Sequence, residues 1–193
     1  MSLLTSQGNL KSQTITNEVL IDKRTHKIVK YWGKVGFPYI DTGEKFRQDK
    51  FDAFLKVDDM KSLDFNNRSF KFNNAGLALA WSYHPHAFEV QCNNQKSPMD
   101  VFNDYDTFSK GIKKTLKGSF FKKRSFEELM QKNDQTNEMV RTVCRRVSGA
   151  QMVSNFRPVT ASALYKLFCN KNDTVWDMSC GWGGRLLASV KAE

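Results

Sequence analysis

The chain has 193 residues, of which 40% are hydrophobic, enough to form the core of one ordinary domain or of one domain and part of another. This composition excludes a chain that is disordered throughout. Thirty lysines and arginines oppose 20 aspartates and glutamates, and the net charge of +10 favours either a polyanionic partner or a merely solvated basic surface.

The cysteines and the hydrophobic runs narrow the class of protein. The four cysteines form no Cys-x-x-Cys pair, so the sequence predicts neither a zinc site nor a disulfide framework. The first residues lack the charged and apolar segments of a signal peptide, and no stretch approaches about 18 consecutive apolar residues. We therefore expect a soluble, cytoplasmic protein with no membrane partner and no metal.

The first 55 residues predict two helices. The residues before Thr25 are polar and aperiodic apart from Val19-Leu20-Ile21, which fits a short strand or a docking segment. From Thr25 onward the apolar spacing predicts a helix that is capped by Thr25 and ends at Gly36, with a β-hairpin through residues 19–31 as the alternative. Residues 44–55 carry their large apolar side chains on one face, which predicts the second helix.

The next stretch is rich in aromatic residues. Residues 58–74 predict a loop with a short strand at 70–72, and residues 77–83 predict a buried helix or strand. His84 and His86 then form a His-x-His pair. On a strand such a pair could bind a metal, but no third ligand is in sight, so we expect turn histidines near the surface.

A basic block follows a strongly signalled helix start. Ser97-Pro98-Met99-Asp100 combines a capping serine, a proline at the first turn and an acidic residue near the positive end of the helix dipole. Residues 107–124 contain no acidic residue. The basic side chains of this stretch are interleaved with Phe120 and Phe121, and they are candidates for phosphate contacts. The alternative interpretation is a solvated helix face. The candidates are Lys110, Lys113, Lys114, Lys117, Lys122, Lys123 and Arg124.

Two more helices are predicted before residue 150. Ser125-Phe126-Glu127-Glu128 is a capping box that predicts a short helix to about Lys132. Residues 137–147 predict a helix whose arginines lie largely off its apolar face. These arginines either face DNA or belong to an ordinary exposed surface, and they are Arg141, Arg145 and Arg146.

The last 40 residues carry the most specific pattern. Pro158 suits the first position of an amphipathic helix that extends to Phe168. Val175 and Trp176 predict a short buried strand that Asp177 ends, and a glycine loop and an apolar-periodic helix follow. Glycines there can adopt positive φ and let a ligand approach the backbone at the electropositive end of a helix.

The segment order of this region resembles a known family. Phe156-Arg157-Pro158, a helix and then Asp177-Met178-Ser179-Cys180-Gly181-Trp182-Gly183-Gly184-Arg185-Leu186-Leu187 resemble the S-adenosylmethionine-dependent DNA amino-methyltransferases of phage and bacterial type. The resemblance covers about residues 150–190. In a dinucleotide-binding loop the acidic residue follows the glycines by about 20 residues, whereas here Asp177 precedes them, so the two patterns differ.

The resemblance implies a fold and a function. We expect an α/β fold, α+β in this portion: a largely helical, basic region over residues 1–150, then over residues 151–193 the opening of a Rossmann-like methyltransferase sheet. The implied function is S-adenosylmethionine-dependent methyl transfer to DNA, on an exocyclic base amine, with RNA left open as the substrate. The implied cofactor-binding residues are Phe156, Pro158, Asp177, Ser179, Gly181, Gly183, Gly184 and Arg185, the last as a partner for the methionine carboxylate.

One element of that family is missing from the sequence. A flipped base amine is held by a Ser, Asn or Asp followed by Pro-Pro and an aromatic residue, and no such tetrapeptide occurs. The nearest string, Gly36-Phe37-Pro38-Tyr39, lacks the polar residue and the first proline. We therefore assign no catalytic residue and expect an N-terminal portion of a methyltransferase that is inactive alone. The alternative is a basic nucleic-acid-binding module without a cofactor.

Overall fold

The structure, a computed structural model, describes residues 3–118, 126–131 and 133–192. Two short 3₁₀ helices lie at Met60–Ser62 and Pro85–Phe88, and β1 (Leu63–Asp64) pairs antiparallel with β2 (Ser69–Phe70). The α-helices in chain order are α1 (Leu3–Val35), α2 (Glu44–Leu55), α3 (Leu77–Ser82), α4 (Pro98–Asn103), α5 (Tyr105–Lys117), α6 (Phe126–Gln131), α7 (Asn133–Arg146), α8 (Pro158–Phe168) and α9 (Gly184–Ala192). None of these helices is both long and apolar enough to cross a membrane, as far as the described residues extend.

The chain forms two compact units that are interleaved in sequence. Unit 1 contains the residues up to Tyr39 together with Phe88–Met152, and unit 2 contains Ile40–Ala87 together with the residues from Val153 onward. Unit 1 thus includes α1 and α4 to α7, whereas unit 2 includes α2, α3, α8, α9 and the β1–β2 hairpin.

The core of unit 1 is a helical packing. One face of α1, with Ile21, Ile28 and Trp32 buried at helical spacing, packs on α5, where Ile112 is fully buried. A glycine allows α7 to approach α5 closely, since a Cβ on Gly111 would lie 2.5 Å from Val143 Cγ1.

The core of unit 2 contains a buried ionic cluster. Asp59 is 1% exposed and accepts hydrogen bonds from Ser162 Oγ and Lys166 Nζ, both at 2.8 Å to Oδ2, and from Lys191 Nζ at 2.5 Å to Oδ1. Lys191 Nζ also donates to the carbonyl oxygens of Phe54 and Val57, so all three of its protons are used. Because Ser162 and Lys166 lie on α8 and Lys191 lies on α9, the cluster ties both helices to the end of α2.

Several predicted helices are confirmed. α2 has the predicted bounds, and α4 begins at the predicted Ser97 cap. The structure adds a capping box there, in which Ser97 Oγ accepts from the Asp100 amide and Asp100 Oδ2 accepts from the Ser97 amide. The helix over residues 158–168 and the helix after the glycine loop are also present. Residues 77–83, left open between helix and strand, form α3, and α1 ends before Gly36, whose φ is 95°.

The beginning of α1 was predicted wrongly. The helix starts at Leu3 and continues through the residues expected to form a strand, a hairpin or a coil. Thr25 is a buried residue inside it, and its hydroxyl donates to the carbonyl of Ile21 at 2.8 Å. A threonine that bonds to the preceding turn is compatible with a helix interior, so its capping preference does not decide the boundary here.

The predicted α/β class with a Rossmann-like sheet is wrong. The described residues are mostly helical, and their one sheet is the antiparallel β1–β2 hairpin. Val175 and Trp176 belong to no strand, and the Trp176 side chain is 85% exposed. A parallel strand needs neighbours on its edges and helices on both faces, and the local apolar pattern that predicted a strand supplies neither.

Candidate functional site

The glycine loop in unit 2 has the backbone geometry that a close ligand approach requires. Gly181 and Gly183 adopt φ values of 61° and 78°, a region that residues with a Cβ rarely enter. α9 begins at Gly184, and the Leu187 amide donates to the Gly183 carbonyl at 3.0 Å. The amides of the first turn of α9 therefore have no acceptor within the helix, and the positive end of the helix dipole lies at the loop.

The Phe-Arg-Pro turn packs directly on this loop. Asn155 Nδ2 donates to the carbonyl of Trp182 at 3.0 Å, and a Cβ on Gly184 would overlap the Phe156 carbonyl oxygen and lie 2.6 Å from Asn155 Oδ1. The Arg185 guanidinium lies 5.6 Å from the centre of the Phe156 ring. The two segments that carry the family resemblance, separated by α8 in sequence, are thus in contact.

Asp177 and Arg185 form a two-point ion pair across the loop. Arg185 Nε donates to Asp177 Oδ2 at 2.6 Å and Nη2 donates to Oδ1 at 3.1 Å, while Nη2 also donates to the Ser179 carbonyl. The hydrogen bonds from Arg185 lower the pKa of Asp177 below its ordinary value. None of these three bonds uses Nη1 of Arg185.

A cavity of about 760 Å³ opens beside this ion pair. Tyr165, Cys169, Asp177, Cys180 and Arg185 are among the residues that line it, so α8, the loop and α9 all contribute. Burial raises the pKa of Tyr165, and the charge of Asp177 raises it further. The volume lies within the range of about 300 to 1,000 Å³ that is typical of small-molecule sites.

An aromatic cluster holds the apex of the loop. The Trp182 ring lies 5.5 Å from the rings of both His84 and His86 and 6.0 Å from the Trp81 ring, measured between centroids. Burial lowers the pKa of His84, and the neighbouring His86 lowers it further. His86 is exposed, and no group of three His, Cys, Asp or Glu side chains suited to a metal occurs within the described part of the chain.

Sequence reasoning therefore placed some residues of the site and missed others. The predicted residues Phe156, Pro158, Asp177, Ser179, Gly181, Gly183, Gly184 and Arg185 all lie in or beside the loop of unit 2, although Pro158 is buried at the start of α8. Asn155, Trp182 and Tyr165 were not predicted. A signal for Asn155 existed, since a polar side chain directly before the Phe-Arg-Pro turn is well placed to hold a neighbouring loop.

The members of the basic block that the structure describes are four lysines of α5. On α5, Lys113 Nζ lies 2.5 Å from Asp22 Oδ1 and Lys117 Nζ lies 3.5 Å from Glu18 Oε1, so both compensate acidic residues of α1. Lys110 and Lys114 are exposed on the same helix. The remaining members of the block lie outside the described residues: Lys122, Lys123 and Arg124.

The arginines of α7 are largely engaged within unit 1. Arg141 and Arg145 both donate to Glu138, and Arg141 Nη1 also donates to the Pro38 carbonyl at 2.9 Å. Arg141 thereby holds the Gly36-Phe37-Pro38-Tyr39 string, in which Phe37 and Pro38 are buried. Tyr39 donates to Glu89 at 2.5 Å, and burial followed by this bond raises the pKa of Tyr39 to about 12.

Comparison with known proteins does not add a family to this geometry. No family model matches the sequence, and neither the curated proteins nor the solved structures contain a match. The glycine loop, the Phe-Arg-Pro turn and the exposed lysines of α5 are therefore the features of this chain that bear on its function.

Proposed function

We propose that the glycine loop of unit 2 binds S-adenosylmethionine and that the protein takes part in methyl transfer to DNA, on an exocyclic base amine. The observation that carries this proposal is the contact between the Phe-Arg-Pro turn and a loop in which Gly181 and Gly183 both have positive φ. Glycines at these positions leave the loop backbone without Cβ atoms, which allows a cofactor to contact the backbone closely.

The chemistry of the loop fits the two charged ends of the cofactor's methionine moiety. The amides at the start of α9 and Arg185 Nη1 offer donors to its carboxylate, and Asp177 offers an acceptor to its ammonium group. Phe156 borders the same loop with its ring 41% exposed, and Ser179 lies between the aspartate and the glycines. When bound, the cofactor supplies an electrophilic methyl group, and these residues hold and orient it.

The DNA part of the proposal rests on charge. The net charge of +10 and the exposed lysines Lys110 and Lys114 favour a polyanion, whose phosphates give affinity without sequence selectivity. The competing function is a nucleic-acid-binding module without a cofactor, and the same two lysines support it equally. The two functions differ in whether the loop binds a ligand.

Calorimetric titration with S-adenosylmethionine and with its demethylated product tests the loop. The wild-type chain should bind, and Gly183→Val should not, because a β-branched residue strongly disfavours the φ of 78° that this loop conformation requires. Gly33→Ala, inside α1 where an added Cβ meets nothing within 4 Å, is the control and should bind as the wild type does.

The outcome separates the two functions. At 100 times its dissociation constant a ligand should also raise the free energy of unfolding of the unit that binds it by about 2.7 kcal/mol. If neither ligand binds the wild type while DNA does, the cofactor proposal fails and the nucleic-acid-binding module replaces it.

A further inference from the structure

The β1–β2 hairpin of unit 2 presents aromatic side chains to solvent. Phe65 is 66% exposed, Phe72 is 71% exposed and Phe70 is half-exposed, although the whole segment spans only residues 63–72. Single exposed apolar residues are common on protein surfaces, but three exposed phenylalanines within residues 65–72 concentrate apolar surface on one hairpin, and strand alternation places Phe70 and Phe72 on the same face. Concentrated exposed apolar surface is typical of a binding surface.

The hairpin is held in a defined conformation. Leu63 pairs with Phe70 and Asp64 with Ser69, and the Lys71 amide extends the pairing by donating to the Ser62 carbonyl at 2.7 Å. Within the turn, the Asp64 carboxylate accepts from the Asn67 amide at 3.1 Å and from its side chain at 3.0 Å. A ligand would therefore meet rings whose backbone is already ordered.

The charge around the rings is positive. Residues 63–72 contain one acidic residue, Asp64, whose carboxylate accepts hydrogen bonds from Asn67, and two basic residues, Arg68 and Lys71. A third basic side chain comes from the Phe-Arg-Pro turn, since the Arg157 guanidinium lies 4.0 Å from the centre of the Phe72 ring. We call this set the hairpin surface; it consists of Phe65, Arg68, Phe70, Lys71, Phe72 and Arg157.

We propose that the hairpin surface binds unpaired DNA nucleotides, with bases stacked on the phenylalanine rings and phosphates beside the basic side chains. Every base has a flat π-face, so a rigid aromatic patch bordered by cations suits a single strand of any sequence. A protein partner that packs on the three phenylalanines would gain little binding energy from side chains around them that all carry positive charge. The positive border is complementary to phosphate and selects the nucleic acid.

The surface lies beside the proposed methyl-donor loop, and in this respect the inference rests on the proposed function. Arg157 contacts Phe72, and its neighbour Phe156 contacts Arg185 of the loop. The exit of the hairpin is fixed to the same turn, because a Cβ on Gly76 would lie 2.9 Å from Pro158 Cβ. A strand held on the hairpin surface is thus placed next to the group that would methylate it.

Fluorescence anisotropy with a labelled single-stranded DNA of about 15 nucleotides, without any methyl donor, tests the inference. Phe72→Ala should weaken binding roughly five-fold to a hundred-fold, the loss expected for one stacked base. Phe72→Trp should retain affinity, whereas Phe72→Leu, which stays apolar but cannot stack, should lose as much as Phe72→Ala. Phe168→Ala is the matched control, since Phe168 is 75% exposed at the far end of α8 and should not affect binding.

Charge and strandedness give further readouts. The double variant Arg68→Gln, Lys71→Gln should lower the salt dependence of binding, and a duplex of the same sequence should bind more weakly than the single strand. Unchanged affinity of Phe72→Ala, or wild-type affinity of Phe72→Leu, would overturn the inference, the second result pointing to an ordinary apolar docking surface. Because no methyl donor is present, failure of the cofactor proposal would leave this result unaffected.

Discussion

Replacing Lys191 by methionine should destabilise unit 2 by about 3 to 5 kcal/mol. The Lys191 side chain is 3% exposed, and its ammonium group donates to the Phe54 carbonyl at 2.8 Å, the Val57 carbonyl at 2.6 Å and Asp59. Methionine fills a similar volume but donates nothing, so two carbonyls and one oxygen of a buried carboxylate lose a partner. Breaking a buried ion pair by removing one member costs about this amount.

Thermal melting and calorimetry on the full chain provide the assay. For one cooperative transition of a chain of this size each kcal/mol shifts the midpoint by about 2 to 4 °C, so the midpoint of the whole chain should fall by roughly 6 to 20 °C. Lys171→Met, which removes an exposed lysine from the same unit, is the control and should leave the transition in place. If the two variants have the same melting temperature, the buried ionic cluster does not stabilise the fold.

Acid provides a second test of the same cluster. Burial raises the pKa of Asp59, but the hydrogen bonds from Lys166, Lys191 and Ser162 together lower it by more, and the folded-state pKa lies below its ordinary value. The stabilisation is therefore present above the unfolded-state pKa near 3.9 and is lost as the pH falls through the folded-state pKa. The difference in stability between wild type and Lys191→Met should shrink over that range and stay constant above about pH 5.

Burial raises the pKa of Cys144 to about 12, so an alkylating reagent should modify the exposed Cys180 first and Cys144 only on unfolding. Mass spectrometry measures the order of modification, and early labelling of Cys144 in the native chain would contradict its burial. Charge reversal should separate the lysines of α5 by role. Lys113→Glu, which places two negative charges together at Asp22, should lower the melting temperature of unit 1 slightly, whereas Lys114→Glu should weaken DNA binding and flatten its salt dependence at unchanged stability. Melting curves and gel shifts at several salt concentrations measure both effects, and equal behaviour of the two variants would remove the distinction.

Local signals in the sequence predicted local structure well. Pro158 at a helix start, the Ser97 cap and the glycines with positive φ at 181 and 183 each depend on a few adjacent residues, and each lies where the sequence placed it. The strand at Val175-Trp176 failed because a strand is defined by its partners, which an apolar dipeptide does not specify.

The long-range features of the candidate site could not be predicted. Asp59 forms ion pairs with Lys166 and Lys191, which lie 107 and 132 residues away in sequence. Trp182, at the apex of the loop, contacts His84, which is also far from it in sequence. Nothing in the composition near Asp59 distinguishes it from the other acidic residues of a polar loop. Only the packing of α8 and α9 on the end of α2 identifies it as a buried charge.

The interleaving of the two units also orders events during synthesis. Asp59 leaves the ribosome 132 residues before Lys191, a delay of about 7 to 26 seconds at ordinary translation rates. During that interval Phe54 and Asp59 lack the helices that bury them, because α8 and α9 do not yet exist. The first half of unit 2 therefore lacks part of its core while Phe88–Met152 can already join α1, and during this interval the nascent segment Ile40–Ala87 exposes apolar surface that the finished unit buries.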